Sequence, residues 1–525
     1  MLSRRSATVA AIVLVIAVAL VANQGLALFQ EQTVSPAPAR AEGTLRLAWG
    51  EPETLDPALA QDVNSWGYLL HIHSGLVRLD RDMKVVPELA AGWSLSPDGR
   101  TYTFTLREDA RFHSGRAVTA QDVKYSLERA TDPRLRSQVA SIYLGDIVGV
   151  AEKLAGTATE IRGVSVRDER TIDITIDAPK VYFLSKLTYP TAAVLDRENV
   201  EGSADWTERP NGAGPYRLLR RDAERVVLER SEHYFRSGPA PQRIEFYFGP
   251  RSAMAMYEAG ELDVIPVGLG DIERALDEKG DLHDDLVVQP GLGVYYLEMN
   301  VAQKPFDERE VRRAFAMAVD KDKIVDVTLK GTARRANGIL PPGLLGHDPD
   351  FAGLPFDVEE ARRSLAASSY GEGKALPPIT ITGGMGELFA EVFYANLEAE
   401  MEVQVVQEGY FEGLAEGAYQ MRFAGWMADY PDPENFLDVL LHSRSRGNHG
   451  GYSNPEVDQL LERARVETSQ ERRASLYREA EHIAVEDAAL VPLFFEVNYS
   501  LVKPRVRGLA VTPLGIISFE GVEVD

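Results

Sequence analysis

Leu89-Ala90-Ala91-Gly92-Trp93, Asp98-Gly99-Arg100-Thr101-Tyr102-Thr103-Phe104, Leu106-Arg107, Phe112-His113-Ser114-Gly115 and Thr119-Ala120-Gln121-Asp122-Val123 follow one another between residues 89 and 123. Within this run Ser96-Pro97-Asp98-Gly99 reads as a turn, with proline and glycine at turn positions. Tyr102, Phe104 and Leu106 then alternate with polar residues, the pattern of a half-buried strand. Thr119 followed three residues later by Asp122 resembles a capping box, and Val123, Leu127 and Ala130 repeat at helical spacing behind it. Strand, turn and helix are thus written in one short stretch.

Outward from this stretch the same mixture continues. Thr44 to Ala48 is a short apolar strand, followed by the turn-rich Glu51-Pro52-Glu53-Thr54-Leu55-Asp56-Pro57, and Ile172, Ile174 and Ile176 mark another strand. In the second half, Asp307 with Glu310 predicts a helix start, with Val311, Ala314, Phe315, Ala318 and Val319 on one face. Asn454-Pro455 places a capping residue before a first-turn proline, and Leu476, Ala480, Ile483 and Ala484 stripe a further helix. Strands and helices alternate irregularly without a fixed repeat, which argues for an α/β protein. At 525 residues the chain exceeds one ordinary core, so two or three lobes are expected.

Composition narrows the function classes. Hydrophobic residues make up 45% and charged residues 26%, as in a globular protein, and the formal net charge of -24 argues against a nucleic-acid partner, which needs basic patches. Cysteine is absent, which removes disulfides, thiolate metal sites, cysteine nucleophiles and lipidation at an N-terminal cysteine. Arg4 and Arg5 precede an apolar run from Ala7 to Ala22, the layout of a secretory signal. Ala39-Arg40-Ala41 resembles a cleavage site, yet extending the run to Phe29 gives about the ~20 residues of a spanning helix. Cleaved signal and retained anchor therefore both stand, with Thr33 to Ala41 as a spacer.

Catalytic signatures are missing. Gly371-Glu372-Gly373-Lys374 is followed by Ala375 and does not complete a phosphate-binding loop, and neither a Gly-x-Ser-x-Gly elbow nor a His-Glu-x-x-His helix occurs. His71 and His73 would share one side of a strand, but metal sites need three or four ligands. Asp429, Asp432 and Glu434 are clustered without the spacing of a calcium loop. No metal and no cofactor is expected.

Together, these segments resemble solute-binding protein family 5, the ABC importer receptors that include the oligopeptide- and dipeptide-binding proteins. The residues 89–123 carry the most specific likeness. Thr54-Leu55-Asp56-Pro57, Ser74 to Asp80, Gly212-Ala213-Gly214-Pro215-Tyr216, Glu229 to Phe235, Asn300, Pro305-Phe306-Asp307, Val311 to Ala314, Gly425 to Pro433, Val491-Pro492-Leu493 and Pro513-Leu514-Gly515 extend it from Gly43 to Asp525. The resemblance implies a periplasmic-binding-protein-like Venus flytrap of the large three-lobed type with a discontinuous first lobe. Its pieces are placed at 43–75, 196–300 and 492–525, with lobe II at 76–195, lobe III at 301–491, and signal or anchor plus spacer at 1–42.

It also implies an extracytoplasmic receptor, in the periplasm or at the outer face of the cytoplasmic membrane. Its partners would be a peptide or other small ligand and the permease subunits of an ABC transporter, with membrane association only through the N-terminus. By the same resemblance Trp426, Asp429, Phe423 and Tyr430 fall on the ligand-site segment, the aspartate meeting a ligand ammonium. Read without the family, a lone Trp-x-x-Asp is a weak signal, and Trp426 and Asp429 also read as a core indole and a helix-capping carboxylate. The arginines that meet a peptide carboxylate in the family are matched here by Phe423 and Leu414, with Arg422 adjacent, and a flanking aromatic is matched by Val139, with Tyr143 nearby. A peptide is expected first; another cationic or amide-bearing solute, a sugar, a metal complex, or the substrate of an exported peptide hydrolase are the alternatives.

Overall fold

The structure, a computed structural model, describes residues 43–236, 240–371, 376–404 and 419–525. The N-terminal segment 1–42 and Leu414 lie outside the described residues. Among the described residues no helix is long and apolar enough to cross a membrane.

The opening stretch folds as its pattern dictates. Gly99 adopts φ +72, a conformation that disfavours other residues, and donates to Ser96 O at 2.9 Å to close the turn. Thr101–Leu106 is a strand whose Tyr102, Phe104 and Leu106 are buried. Asp122 N–H donates to Thr119 Oγ1 while Thr119 N–H donates to Asp122 Oδ2, completing a capping box for the helix Ala120–Ala130. Ala90–Leu95, Thr101–Leu106, Thr171–Thr175 and Val164–Val166 form an antiparallel four-stranded sheet. That sheet and the helix share a core of Phe104, Leu106, Val123, Leu127, Ile172 and Ile174.

A second, larger sheet has eleven strands among the described residues. Two long strands, Leu286–Met299 and Leu490–Val502, pair antiparallel at its centre. On one side Leu490–Val502 meets Val264–Pro266, then Thr44–Ala48, which runs parallel to Arg243–Tyr247. On the other, Leu286–Met299 pairs with Met421–Met427, which lies parallel to Ile379–Thr382. The core under the first half draws Leu45, Leu47, Tyr216, Ile244, Phe246 and Phe519 from the beginning, middle and end of the chain.

Glycine explains one join. A Cβ on Gly212 would stand 1.9 Å from Ile72 O, and one on Gly214 2.4 Å from His71 O. Their absence lets Gly214 N–H donate to Ile72 O at 3.0 Å, so the strand Tyr216–Arg221 starts against the end of the helix Val63–Ile72.

Two local expectations are corrected. The helix expected from Asp307 runs Arg309–Met317, with no side-chain cap, because Glu308 N–H closes a turn onto Pro305 O that keeps Asp307 outside. His71 belongs to the helix Val63–Ile72 and His73 caps it, so the strand geometry that would aim both rings at one ion is absent. His71 packs 4.5 Å from Phe519 and His73 6.4 Å from Trp206, and burial pushes both imidazoles down to about 3. By contrast Asn454 caps Pro455–Val466 as read, and Leu476, Ala480 and Ala484 are buried on Gln470–Glu486.

Candidate functional site

The strand Met421–Met427 pairs with Leu286–Met299, placing Trp426 opposite Val294. Side chains alternate along a strand, so Phe423 and Trp426 face opposite ways. Phe423 packs among Tyr295, Phe389 and Phe494. Trp426 lies instead against a core that includes Trp66, Val139, Tyr143, Tyr189 and Tyr430. Arg422 pairs with buried Glu298.

Past Met427 the chain leaves the sheet, Ala428 N–H donating to Leu292 O at 2.8 Å. Asp429 and Asn435 clasp each other across the turn into the helix Glu434–Leu441. Asp429 N–H donates to Asn435 Oδ1 at 2.8 Å, and Asn435 Nδ2 donates to Asp429 Oδ2 at 3.1 Å. The helix is served by Asp432, whose Oδ1 accepts from Glu434 N–H at 2.9 Å, which frees Asp429 from a capping role.

Tyr143, from the helix Ala140–Leu144, donates its phenol to Asp429 Oδ2 at 2.6 Å. Its ring stacks on Tyr189 with centroids 3.7 Å apart and planes at 7°, and Tyr189 stands 5.8 Å from Trp66. Tyr430 is fully buried, edge-on to Tyr143 at 6.4 Å, with its hydroxyl on Glu434 Oε2. Asp429 Oδ2 is therefore saturated, while among the described residues Oδ1 accepts no hydrogen bond. Burial pushes the Asp429 carboxyl up to about 6; hydrogen bonds from Tyr143 and Asn435 oppose the rise and Glu434 adds to it. The indole N–H groups of Trp426 and Trp66 are buried without acceptors. An unused carboxylate oxygen on Asp429, and unused indole donors in the core that its partner Tyr143 joins, suit a polar ligand with a cationic end.

A buried ionic cluster lies beside this site. Lys186 Nζ reaches Asp146 at 3.0 Å and Glu434 at 2.9 Å, and Lys180 reaches Asp146 at 2.6 Å. Although burial pulls it down, Asp146 and Glu434 hold the Lys186 ammonium above its ordinary range. Arg473 clamps Asp432 through two bonds of 2.8 and 2.6 Å and stands 5.4 Å over the Tyr182 ring.

Comparison with known proteins now decides the family. The profile of the bacterial extracellular solute-binding proteins, family 5 Middle, matches residues 84–448. The chain belongs to the family 5 solute-binding proteins. The dipeptide-binding protein DppE of Bacillus subtilis is 29% identical to this family 5 protein, with 90% of each chain covered. The periplasmic oligopeptide-binding protein OppA of Escherichia coli is 30% identical, with 87% of this chain and 88% of that one covered. The solved structure of the Escherichia coli murein tripeptide binding protein MppA superposes with a TM-score of 0.82 at 27% identity, covering 92% of this chain and 98% of that one. This family 5 member accordingly has the mixed α/β, multi-lobed Venus-flytrap fold of the periplasmic peptide-binding proteins.

Of the residues expected at the site, the structure brings Trp426 and Tyr430 to one core, bonds Asp429 to Tyr143 of that core, and sends Phe423 to another. Tyr143, expected only as a neighbour of Val139, makes the decisive contact, and Val139 packs beside it. Tyr189, Trp66 and Asn435 were not signalled at all. Tyr189 and Trp66 are distant in sequence, and Asn435 is indistinguishable there from any polar residue in a first helical turn.

Proposed function

We propose that this chain is the extracytoplasmic receptor of an ABC importer and captures a peptide by its free amino end, which pairs with Asp429. The observation that carries the reading is the Asp429 carboxylate, held by Tyr143 and Asn435 through one oxygen and open at the other. A ligand ammonium at Oδ1 completes an ion pair in a site that excludes most water, where such pairing is strong. Trp426 lends flat apolar area and an unused indole donor. Phe423 and Tyr430 act behind the site, by packing.

Three lobes, at 43–75 with 196–300 and 492–525, at 76–195, and at 301–491, close on the ligand about the long strands Leu286–Met299 and Leu490–Val502. The Tyr143–Asp429 and Lys186–Glu434 contacts join the second and third of these. Loaded receptor then docks on permease subunits outside the cytoplasmic membrane. Binding without turnover accords with the relatives, which are named as binding proteins. The relatives' names support a peptide ligand.

Native mass spectrometry of protein purified from its own host identifies the co-purifying ligand, and small-angle scattering on adding that ligand tests closure. Compaction with no product formation is expected. Steady turnover, or saturable binding without change in dimensions, contradicts the reading.

A further inference from the structure

Behind the aromatic row Tyr143, Tyr189 and Trp66 lies a cavity of about 190 Å³, room for on the order of a dozen waters. Trp66, Leu70, Leu79, Met83 and Ile516 give it an apolar wall. Its charged wall carries Arg78, Arg81, Arg230 and Arg236 with Asp80, Glu88 and Glu520. Arg78 and Arg236 share one buried counter-ion, Glu88, at 3.2 and 2.8 Å. The Glu88 carboxylate is fixed further by Ser74 at 3.0 Å and Tyr234 at 2.6 Å, so it is an internal part of the wall. The second positive charge is answered by Glu520, at 3.2 Å from Arg78 and 3.7 Å from Arg236, on a side chain that is 58% exposed. Asp80 is occupied by the backbone N–H groups of Asp82 and Lys84. Polar atoms on the wall are also unused: both ring nitrogens of His73 and the Thr512 hydroxyl are buried without partners.

From this we infer that the recess is a binding site for a carboxylate carried on an apolar body, which displaces Glu520 from Arg78 and Arg236. An exposed ion pair contributes little, so exchanging Glu520 for a ligand carboxylate costs little, while the planar guanidinium forks suit a carboxylate geometry. The apolar wall supplies the remaining attraction by burying the ligand's body. The assignment of the ligand end rests on the proposed peptide reading. The recess stands one hydrogen bond and two ring contacts from Asp429, through Tyr143 and Tyr189 to Trp66, a span that roughly four or five extended residues cover at ~3.5 Å each. A peptide held by its amine at Asp429 thus places its carboxyl-terminal apolar residue here. This wall offers the carboxylate partners that Phe423 and Arg422, committed elsewhere, do not.

The test uses an alanine pentapeptide ending in leucine, as free acid, as C-terminal amide and as N-acetylated acid, together with octanoate as a carboxylate that has no amine. Calorimetry is run on the full-chain protein, on Arg236→Gln and on Glu520→Gln, with melting curves as folding control. The free acid should bind at least about tenfold tighter than the amide, and Arg236→Gln should abolish that preference. Glu520→Gln, which removes the competing carboxylate from an exposed position, should strengthen the free acid and octanoate severalfold. That variant keeps the test decisive where Arg236→Gln fails to fold. Equal binding of acid and amide, with octanoate indifferent to Glu520→Gln, overturns the recess; a surviving requirement for the free amine would leave the Asp429 reading intact. Octanoate bound and strengthened by Glu520→Gln, with no pentapeptide binding, upholds the recess and assigns its carboxylate to a free amphiphilic acid, while the peptide reading falls.

Discussion

The Tyr143 phenol donates to Asp429 Oδ2 at 2.6 Å across 286 positions of sequence, tying the helix Ala140–Leu144 to the turn that follows the strand Met421–Met427. The bond opposes the burial that pushes the Asp429 carboxyl up to about 6. A ligand ammonium needs the ionised carboxylate, so affinity should rise with pH between about 5 and 7 and then level. Removing the phenol in Tyr143→Phe takes away one stabiliser of the charge and should move that midpoint upward. Calorimetric titrations of a free-amine peptide across this range check it; a pH-independent affinity in both proteins contradicts the assignment.

Lys186 is the only cation within ion-pair distance of Glu434 among the described residues, and both are buried. Lys186→Met leaves the Glu434 carboxylate without its counter-ion and should cost about 3–5 kcal/mol of stability. Adding Glu434→Gln should recover a large part, since the double variant buries no orphan charge there. Denaturant unfolding of wild type, single and double variants measures this. Equal losses in the single and double variants would refute the coupling.

Lys321 is buried with the Ala336 carbonyl as its hydrogen-bond partner at 3.1 Å. Burial, helped by Arg335, lowers its ammonium from 10.5 to about 7. Between pH 7 and 10 the unfolded chain holds a proton that the folded chain has released, so stability should rise with pH across this window. From pH 7 to pH 9 the lysine's share is about 2 kcal/mol at ~1.4 kcal/mol per unit. Lys321→Met should remove that rise, as denaturation at the two pH values will read. A slope unchanged in the variant would place the titration elsewhere.

Gly212→Ala drives a methyl into the Ile72 carbonyl, where backbone must shift because the helix Val63–Ile72 is packed on its other side. A loss of roughly 3 kcal/mol is expected by thermal melting. A neutral substitution would mean that this join is looser than described.

Local patterning made the first sheet legible: the turn at Gly99, the alternation Tyr102-Phe104-Leu106 and the Thr119–Asp122 box each depend on neighbours within a few residues. The Asp307 expectation failed at the same scale, because the turn onto Pro305 competes for that segment. The site was half legible. Trp426 and Asp429 are close in sequence, and strand parity separates Phe423 from Trp426, yet Tyr143 reaches Asp429, and Tyr189 and Trp66 line up behind Tyr143, through tertiary packing alone. His71 and His73 misled because a spacing of two reads as one strand face, whereas the apolar Trp66, Leu69 and Ile72 make that segment a helix.

Asp429→Asn preserves the shape of the clasp and removes the charge. Calorimetric titration of a free-amine peptide and its N-acetylated form into wild type and Asp429→Asn, with melting curves as control, addresses the pairing directly. Truncating a buried charge pair costs roughly 2–5 kcal/mol, so wild type should prefer the free amine by about thirtyfold or more at ~1.4 kcal/mol per decade, and the variant should lose that preference while folding normally. Unchanged affinity in Asp429→Asn, or equal binding of the free and acetylated peptides by wild type, would contradict the ammonium–carboxylate pairing on which the account rests.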